Sequence, residues 1–182
     1  MSVYSQEHAE LPLREIPEAP TDYGPGSMIA RSVEGLGFRY YWATEGLRDK
    51  DFAYRPTPEA RSCGETIDHI LGLSRTIYNA SLNQANSGNN DEGLTYAEKR
   101  KATLEYLDKA AKNYRGKSAK EMEELKIIFQ RGENKSEFPF WNMINGPIAD
   151  ALWHSGQVVS FRRSSGNPLP KGVNVFRGTY RP

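Results

Sequence analysis

The chain has 182 residues, and its 24 basic and 23 acidic side chains give a formal net charge of +1. Such a balance excludes the strong positive field that non-specific nucleic-acid binding requires. A single cysteine, Cys63, excludes an internal disulfide and a multi-cysteine zinc site, and it indicates a reducing, cytoplasmic setting. No apolar run reaches the roughly 20 residues of a membrane helix. We therefore expect one domain without nucleic-acid or membrane partners.

The N-terminal part of the chain combines a proline-rich segment with a helical pattern. Four prolines and few apolar anchors in residues 1–26 predict an extended N-terminal arm. Between Ser27 and about Arg48 the apolar residues recur at steps of three and four, which places them on one helical stripe. Residues 27–48 are therefore predicted to form the first long helix, which ends before Pro56.

Capping boxes mark the starts of the next two predicted helices. Ser62 is followed three residues later by Glu65, and Thr95 is followed by Glu98, so each pair can satisfy the free amides of a first turn. The predicted ranges are 62–84 for the second helix and 95–116 for the third.

The segment that follows carries mixed signals. Ser118 and Glu121 repeat the capping box, yet apolar residues alternate between Leu125 and Phe129 as in a strand. We therefore predict a helical turn and then an extended piece. A loop is expected over 132–137.

The fourth long helix is predicted over 138–163. Pro147 lies inside this range, so the helix either kinks there or begins at that residue. Residues 169–182 are expected to form an irregular C-terminal tail. Four long helical patterns predict an all-α fold, a four-helix bundle over 27–168.

The three histidines of the chain are His8, His69 and His154. No role is assigned to His8, which lies in the predicted arm. Asp150 and His154 are four residues apart and share one face of the fourth helix, about 6 Å from each other. Buried polar groups must be paired or must hold a metal. From spacing alone, two interpretations stay open: hydrogen-bonded side chains, or a metal site that also includes His69.

The run 146–159, with Asp150, His154 and then Gly156 and Gln157, resembles the last-helix signature of the DinB/YfiT-like superfamily. In that signature a ligand, three residues, a histidine and then Gly-Gln recur. The run 62–70 is similar to the superfamily's second helix and its single histidine ligand. The resemblance implies a metal-binding four-helix bundle, often dimeric, with His69, Asp150 and His154 as ligands. Asp150 stands where many members have histidine.

Members of this superfamily include thiol S-transferases, isomerases and hydrolases. Two imidazoles and one carboxylate leave a coordination position open, which is typical of catalytic sites. We expect one divalent ion, Zn or Ni, with Fe or Mn as alternatives. The expected partners are a small-molecule substrate, such as a low-molecular-weight thiol, and a second copy in a homodimer. The predicted function is a metal-dependent S-transferase or hydrolase, and the alternative is a non-catalytic, metal-braced ligand-binding, sensor or interaction module.

Further residues are candidates for a supporting role. Glu65, one turn before His69, and Gln157, one turn after His154, could orient a ligand or contact substrate, although the cap is the favoured role for Glu65. Trp42, with its neighbours Tyr41 and Glu45, could line the mouth of a pocket, but core packing is the favoured role of the aromatic residues. Cys63 is interpreted as a packed small residue. No catalytic residue is assigned.

Overall fold

The computed structural model describes residues 10–88 and 91–182. His8 and residues 1–9 of the predicted arm lie outside the described residues. The helices are α1 (Pro25–Thr44), α2 (Asp49–Ala53), α3 (Cys63–Ser81), α4 (Tyr96–Tyr114), α5 (Ala119–Glu123), α6 (Trp141–Met143) and α7 (Ala149–Ser164), with a π-helical turn, Ile144–Ile148, between the last two. The strands are β1 (Ala85–Asn86), β2 (Lys126–Arg131), β3 (Asn134–Pro139), β4 (Val173–Asn174) and β5 (Thr179–Tyr180).

The four long helices pack around one core. Helices α4 and α7 each lie against both α1 and α3. The predicted stripe of α3 is buried: Ile67, Ile70 and Ile77 are at most 1% exposed and join one apolar cluster with residues of the other three long helices. Burial of this apolar surface is the main favourable contribution to folding. In the described part of the chain, no helix combines the length and apolar character needed to cross a membrane.

The helix starts predicted from capping boxes are confirmed. The Ser62 hydroxyl accepts from the Glu65 amide, and the Glu65 carboxylate accepts from the Ser62 amide at 2.6 Å. Thr95 and Glu98 form the equivalent pair at the start of α4. The first helix ends at Thr44, four residues earlier than predicted. The short helix α2 follows it, and five polar-rich residues are too few to show apolar periodicity.

The described part of the chain is mainly helical, as predicted, but it is not purely all-α, because it also forms two small sheets. Strand β2 pairs with β3 in antiparallel fashion and with β1 in parallel fashion, so most of the loop predicted over 132–137 is strand. The tail predicted to be irregular contains the antiparallel pair of β4 and β5. Every residue of β3 is exposed, so its sequence shows no apolar alternation. Strand β3 forms through its backbone hydrogen bonds with β2.

The predicted fourth helix is interrupted at Pro147 but does not begin there. Gly146 leaves the helical region, with φ −97° and ψ −107°, because a proline disfavours α-helical backbone in the residue before it. The chain continues through the π-helical turn, and α7 becomes regular at Ala149. Met143 and Ile148, on the two sides of Gly146, are both buried. The kink at Gly146 therefore sets how α7 enters the core.

The described part of the arm packs on α1 and on the C-terminal tail. Leu13 is buried against Gly37, where an added Cβ would lie only 2.2 Å from the Leu13 Cδ1 atom. The indole of Trp42 donates to the Arg14 carbonyl at 3.0 Å, and the Ile16 amide donates to the Gly178 carbonyl at 2.8 Å. The arm and the tail are thereby joined over the C-terminal half of α1.

Candidate metal centre

His69 lies at the edge of the core, on the part of α3 that faces α7. The buried positions around it are taken by Ile67 and Ile70, and the His69 side chain remains 33% exposed. One turn later, Gly72 carries no side chain, and an added Cβ there would meet nothing within 4 Å. The surface of α3 beside His69 is therefore open.

Asp150 and His154 lie on the matching edge of α7. The core face of this helix is filled by Ala151, Ser155 and Val158, all at most 1% exposed. The predicted pair lies on the adjacent face, where the Asp150 side chain is 38% exposed and that of His154 is 14% exposed. Helix periodicity thus places both side chains in the seam between α3 and α7.

The structure brings the three predicted ligand residues together. His69 Nε2 lies 3.0 Å from Asp150 Oδ2, and His154 Nε2 lies 3.2 Å from Asp150 Oδ1. The two imidazole rings are nearly perpendicular, with centroids 4.8 Å apart. One ligand atom of each residue lies within 4.8 Å of the other two. Ligand atoms about 2.0–2.1 Å from a tetrahedral ion are about 3.3 Å apart, so the Asp150 contacts are close to coordination spacing.

Gln157 contacts the Nδ1 side of the His154 ring. The Gln157 Oε1 atom lies 2.7 Å from His154 Nδ1, and an amide oxygen accepts a hydrogen bond. In the neutral tautomer that carries its proton on Nδ1, the Nε2 atom has a lone pair that points toward the Asp150 carboxylate. Two acceptors at this distance repel each other unless a proton or a cation lies between them. The donor set therefore suits a cation, and the group could hold a metal ion.

Glu65 serves the helix cap. Its carboxylate accepts from the Ser62 amide and also pairs with Arg55 at 3.2 Å. The Ser62 amide, more than Arg55, lowers the pKa of Glu65. The cap favoured from the sequence is confirmed, and these contacts direct the carboxylate to the start of α3.

The remaining candidates are structural. Burial raises the pKa of the Cys63 thiol to about 11, which confirms it as a packed small residue. Trp42 and Tyr41 are buried in the core, so the favoured packing role is confirmed for both. Glu45 pairs with Arg100 at 2.5 Å.

A second polar cluster, which the sequence did not predict, joins the end of α7 to α1 and α2. Asp51 is fully buried and accepts hydrogen bonds from Arg48, Ser165 and Asn167. Arg162, only 2% exposed, donates to the carbonyls of residues 42, 43 and 45 at the end of α1. This network, named here the Asp51 cluster, fixes α7 relative to α1.

Comparison with protein-family models finds no match, and comparisons with curated proteins and with solved structures find none either. The features of the chain that bear on its function are its helical scaffold and the geometry of the His69, Asp150 and His154 group.

Proposed function

We propose that this chain is a metal-binding protein of the DinB/YfiT type, in which His69, Asp150 and His154 hold one divalent ion. The observation that supports this most is the pair of acceptors in the seam. In the tautomer whose Nδ1 donates a hydrogen bond to Gln157, the Nε2 lone pair of His154 faces a carboxylate oxygen at 3.2 Å. A cation between the two would turn this repulsion into attraction.

The chemistry of the donors narrows the choice of ion. Two imidazole nitrogens and one carboxylate suit Zn or Ni, and they also suit Fe or Mn. Three protein ligands leave at least one coordination position for another molecule. The side chains of His69 and Asp150 are each about one-third exposed, so a small molecule can reach the group from solvent.

We further propose that the site acts on a small molecule, as a thiol S-transferase or a hydrolase. A divalent ion held this way lowers the pKa of a water or a thiol that it binds. The part of the protein itself is positioning: Gln157 holds the ring of His154, and α3 and α7 hold His69 and Asp150 in the same seam. The open surface at Gly72 leaves room for a substrate beside His69.

Metal content tests the site. Protein purified without a histidine tag is expected to hold one ion per chain by mass spectrometry, and anomalous X-ray scattering identifies the element and its place. The double variant His69→Ala/His154→Ala is expected to hold almost none. His8→Ala, which changes the remaining histidine, is the matched control and is expected to keep the ion. Full metal content in the double variant would refute the assignment.

Activity is tested separately. Turnover with low-molecular-weight thiols and with hydrolysable esters or amides is compared between the wild-type protein and Asp150→Ala, both supplied with the metal found. Turnover by the wild-type protein that is absent in Asp150→Ala would support the proposal that the protein is an enzyme. A protein that binds the ion tightly but shows no turnover in either reaction would be the non-catalytic, metal-braced module.

A further inference from the structure

A cavity of about 630 Å³ lies between the first turns of α1, helix α5 and the segment from Pro139 to Ile144. This volume is within the range of about 300–1,000 Å³ that is typical of small-molecule sites. Its lining comes from parts of the chain other than α3 and α7, so it is separate from the candidate metal centre.

The cavity has an apolar floor and an apolar, exposed rim. Met122 and Phe140 are less than a tenth exposed, whereas Met28 and Trp141 are 55% and 77% exposed. Large apolar side chains left in water around a concave surface are characteristic of binding sites. Methionine adapts to the shape of a ligand, because its side chain is flexible and its sulfur is polarisable.

The charge of the lining selects among ligands. Among the described residues that line the cavity, Glu123 is the one charged side chain. The exposed indole of Trp141 offers an electron-rich face. A carboxylate and an indole both attract an organic cation, and the carboxylate repels an anion.

We propose that this cavity binds a small amphiphilic amine. Its ammonium group lies at the rim beside Glu123 and Trp141, and its apolar body covers Met122 and Phe140. This binding does not require the metal ion and is independent of the function proposed above.

The probe is octylamine, which is protonated at neutral pH, and octanoate is the control of equal chain length and opposite charge. Calorimetric titration of the full chain is expected to show saturable binding of one octylamine. Octanoate is expected to bind at least about fivefold more weakly, because an exposed ion pair contributes modestly. The double variant His69→Ala/His154→Ala is expected to bind octylamine as the wild-type protein does.

Three variants locate the site. Ala119 is an exposed residue of the cavity wall, so Ala119→Trp fills the cavity without altering the core, and it is expected to weaken octylamine binding by more than about tenfold. Glu123→Gln is expected to weaken it by about three- to fivefold and to remove the preference over octanoate. Glu124→Gln, at an exposed neighbour that does not line the cavity, is the matched control and is expected to leave binding unchanged.

Folding of each variant is checked by circular dichroism. Equal binding of octanoate, no binding of octylamine, or unchanged binding by a folded Ala119→Trp would each overturn the proposal. Sedimentation velocity supplies the remaining test. A dimer that Ala119→Trp dissociates would show that a second copy, and not an amine, covers this cavity.

Discussion

Asp51, in α2, contacts the C-terminal end of α7, and Asp150 lies in the first turn of α7. The partners of the two carboxylates differ in kind. Asp51 is fully buried, and the groups around it, on Arg48, Ser165 and Asn167, are donors. Asp150 is 38% exposed, and its two oxygens face the ring nitrogens of two histidines.

This difference separates a carboxylate that is saturated by protein donors from one that belongs to a group that could hold a metal ion. A buried acceptor that is saturated by donors of the protein has no capacity left for a metal ion. The seam is different, because the facing nitrogen of His154 is also an acceptor in the tautomer whose Nδ1 donates to Gln157. The number and kind of protein donors, more than burial, therefore distinguish the saturated Asp51 cluster from the group that could hold a metal ion.

The largest expected effect follows from removing the charge of Asp150. Asp150→Asn keeps the size of the side chain but is expected to weaken Zn²⁺ binding by more than about 100-fold, beyond the loss typical for an outer partner of a ligand. Calorimetric titration of the metal-free protein measures this. Asp68→Asn, an exposed residue of α3 that pairs with Lys99, is the control and is expected to bind Zn²⁺ normally. Normal binding by Asp150→Asn would remove Asp150 from the ligand set.

At Asp51, a substitution is expected to lower the stability of the protein and to leave Zn²⁺ affinity unchanged. Asp51→Asn leaves the donors of Arg48 and Ser165 without their charged acceptor, so the free energy of unfolding is expected to fall by about 3 kcal/mol. Urea denaturation measures it, and Zn²⁺ affinity of the folded variant is expected to be unchanged. A stability within about 0.5 kcal/mol of wild type, the range of ordinary surface substitutions, would contradict the structural role.

Gln157 is expected to support Zn²⁺ binding through its hydrogen bond with His154. Gln157→Leu removes the acceptor for His154 Nδ1, and Zn²⁺ affinity is expected to fall by about 10- to 100-fold. Gln157→Glu keeps an acceptor at the same distance and is expected to retain most of the affinity. Equal affinities of the leucine and glutamate variants would show that this hydrogen bond does not orient the ring.

The contribution of Asp51 to stability is expected to depend on pH in the acid range. Its contacts, with Arg48 the strongest, hold the pKa of this carboxyl well below its ordinary value of 3.8. Because the folded pKa is the lower one, the contribution of Asp51 to stability is present above about pH 4 and is lost as the pH falls toward the folded pKa. The difference in unfolding free energy between wild type and Asp51→Asn is expected to narrow below pH 4, by at most about 1.4 kcal/mol per pH unit. A constant difference down to pH 2.5 would exclude this titration.

The smallest effect concerns the open surface beside His69. Gly72→Ala adds a methyl group where nothing lies within 4 Å, so it is expected to stabilise α3 by up to about 1 kcal/mol. Gly156→Ala in α7, also in open space, is the matched control with the same expected gain. Thermal unfolding measures both. If Gly72→Ala alone reduced turnover, the space at Gly72 would be part of the substrate site; a loss of stability would mean that the space is not open.

Local signals in the sequence were sufficient for the long helices and for the pair of Asp150 and His154. Capping boxes at Ser62 and Thr95 marked helix starts, and the spacing of Asp150 and His154 placed them on one face. Whether His69 of α3 would meet that pair depends on how helices pack, which the residues alone do not specify. The resemblance in short motifs supplied that step.

The features that the sequence did not predict have physical explanations. Strand β3 is exposed at every position, so its pairing with β2 leaves no trace in apolar periodicity. The Asp51 cluster joins groups more than 100 positions apart in sequence, and no spacing rule reaches that far. Gln157 was a candidate by its position in the sequence, but its contact with the Nδ1 atom of His154 could be identified only from the distance between the two atoms.

The kink at Gly146 governs how sequence changes in this region act. One residue of an α-helix corresponds to a rotation of about 100°, and Trp141 and Asp150 lie on opposite sides of the kink. Deleting a single residue within Ile144–Ile148 would therefore change the orientation of Trp141 relative to Asp150, although neither residue had changed. A variant of this chain that is one residue shorter here would keep the same motif in α7 and present a different side chain to the cavity at α5.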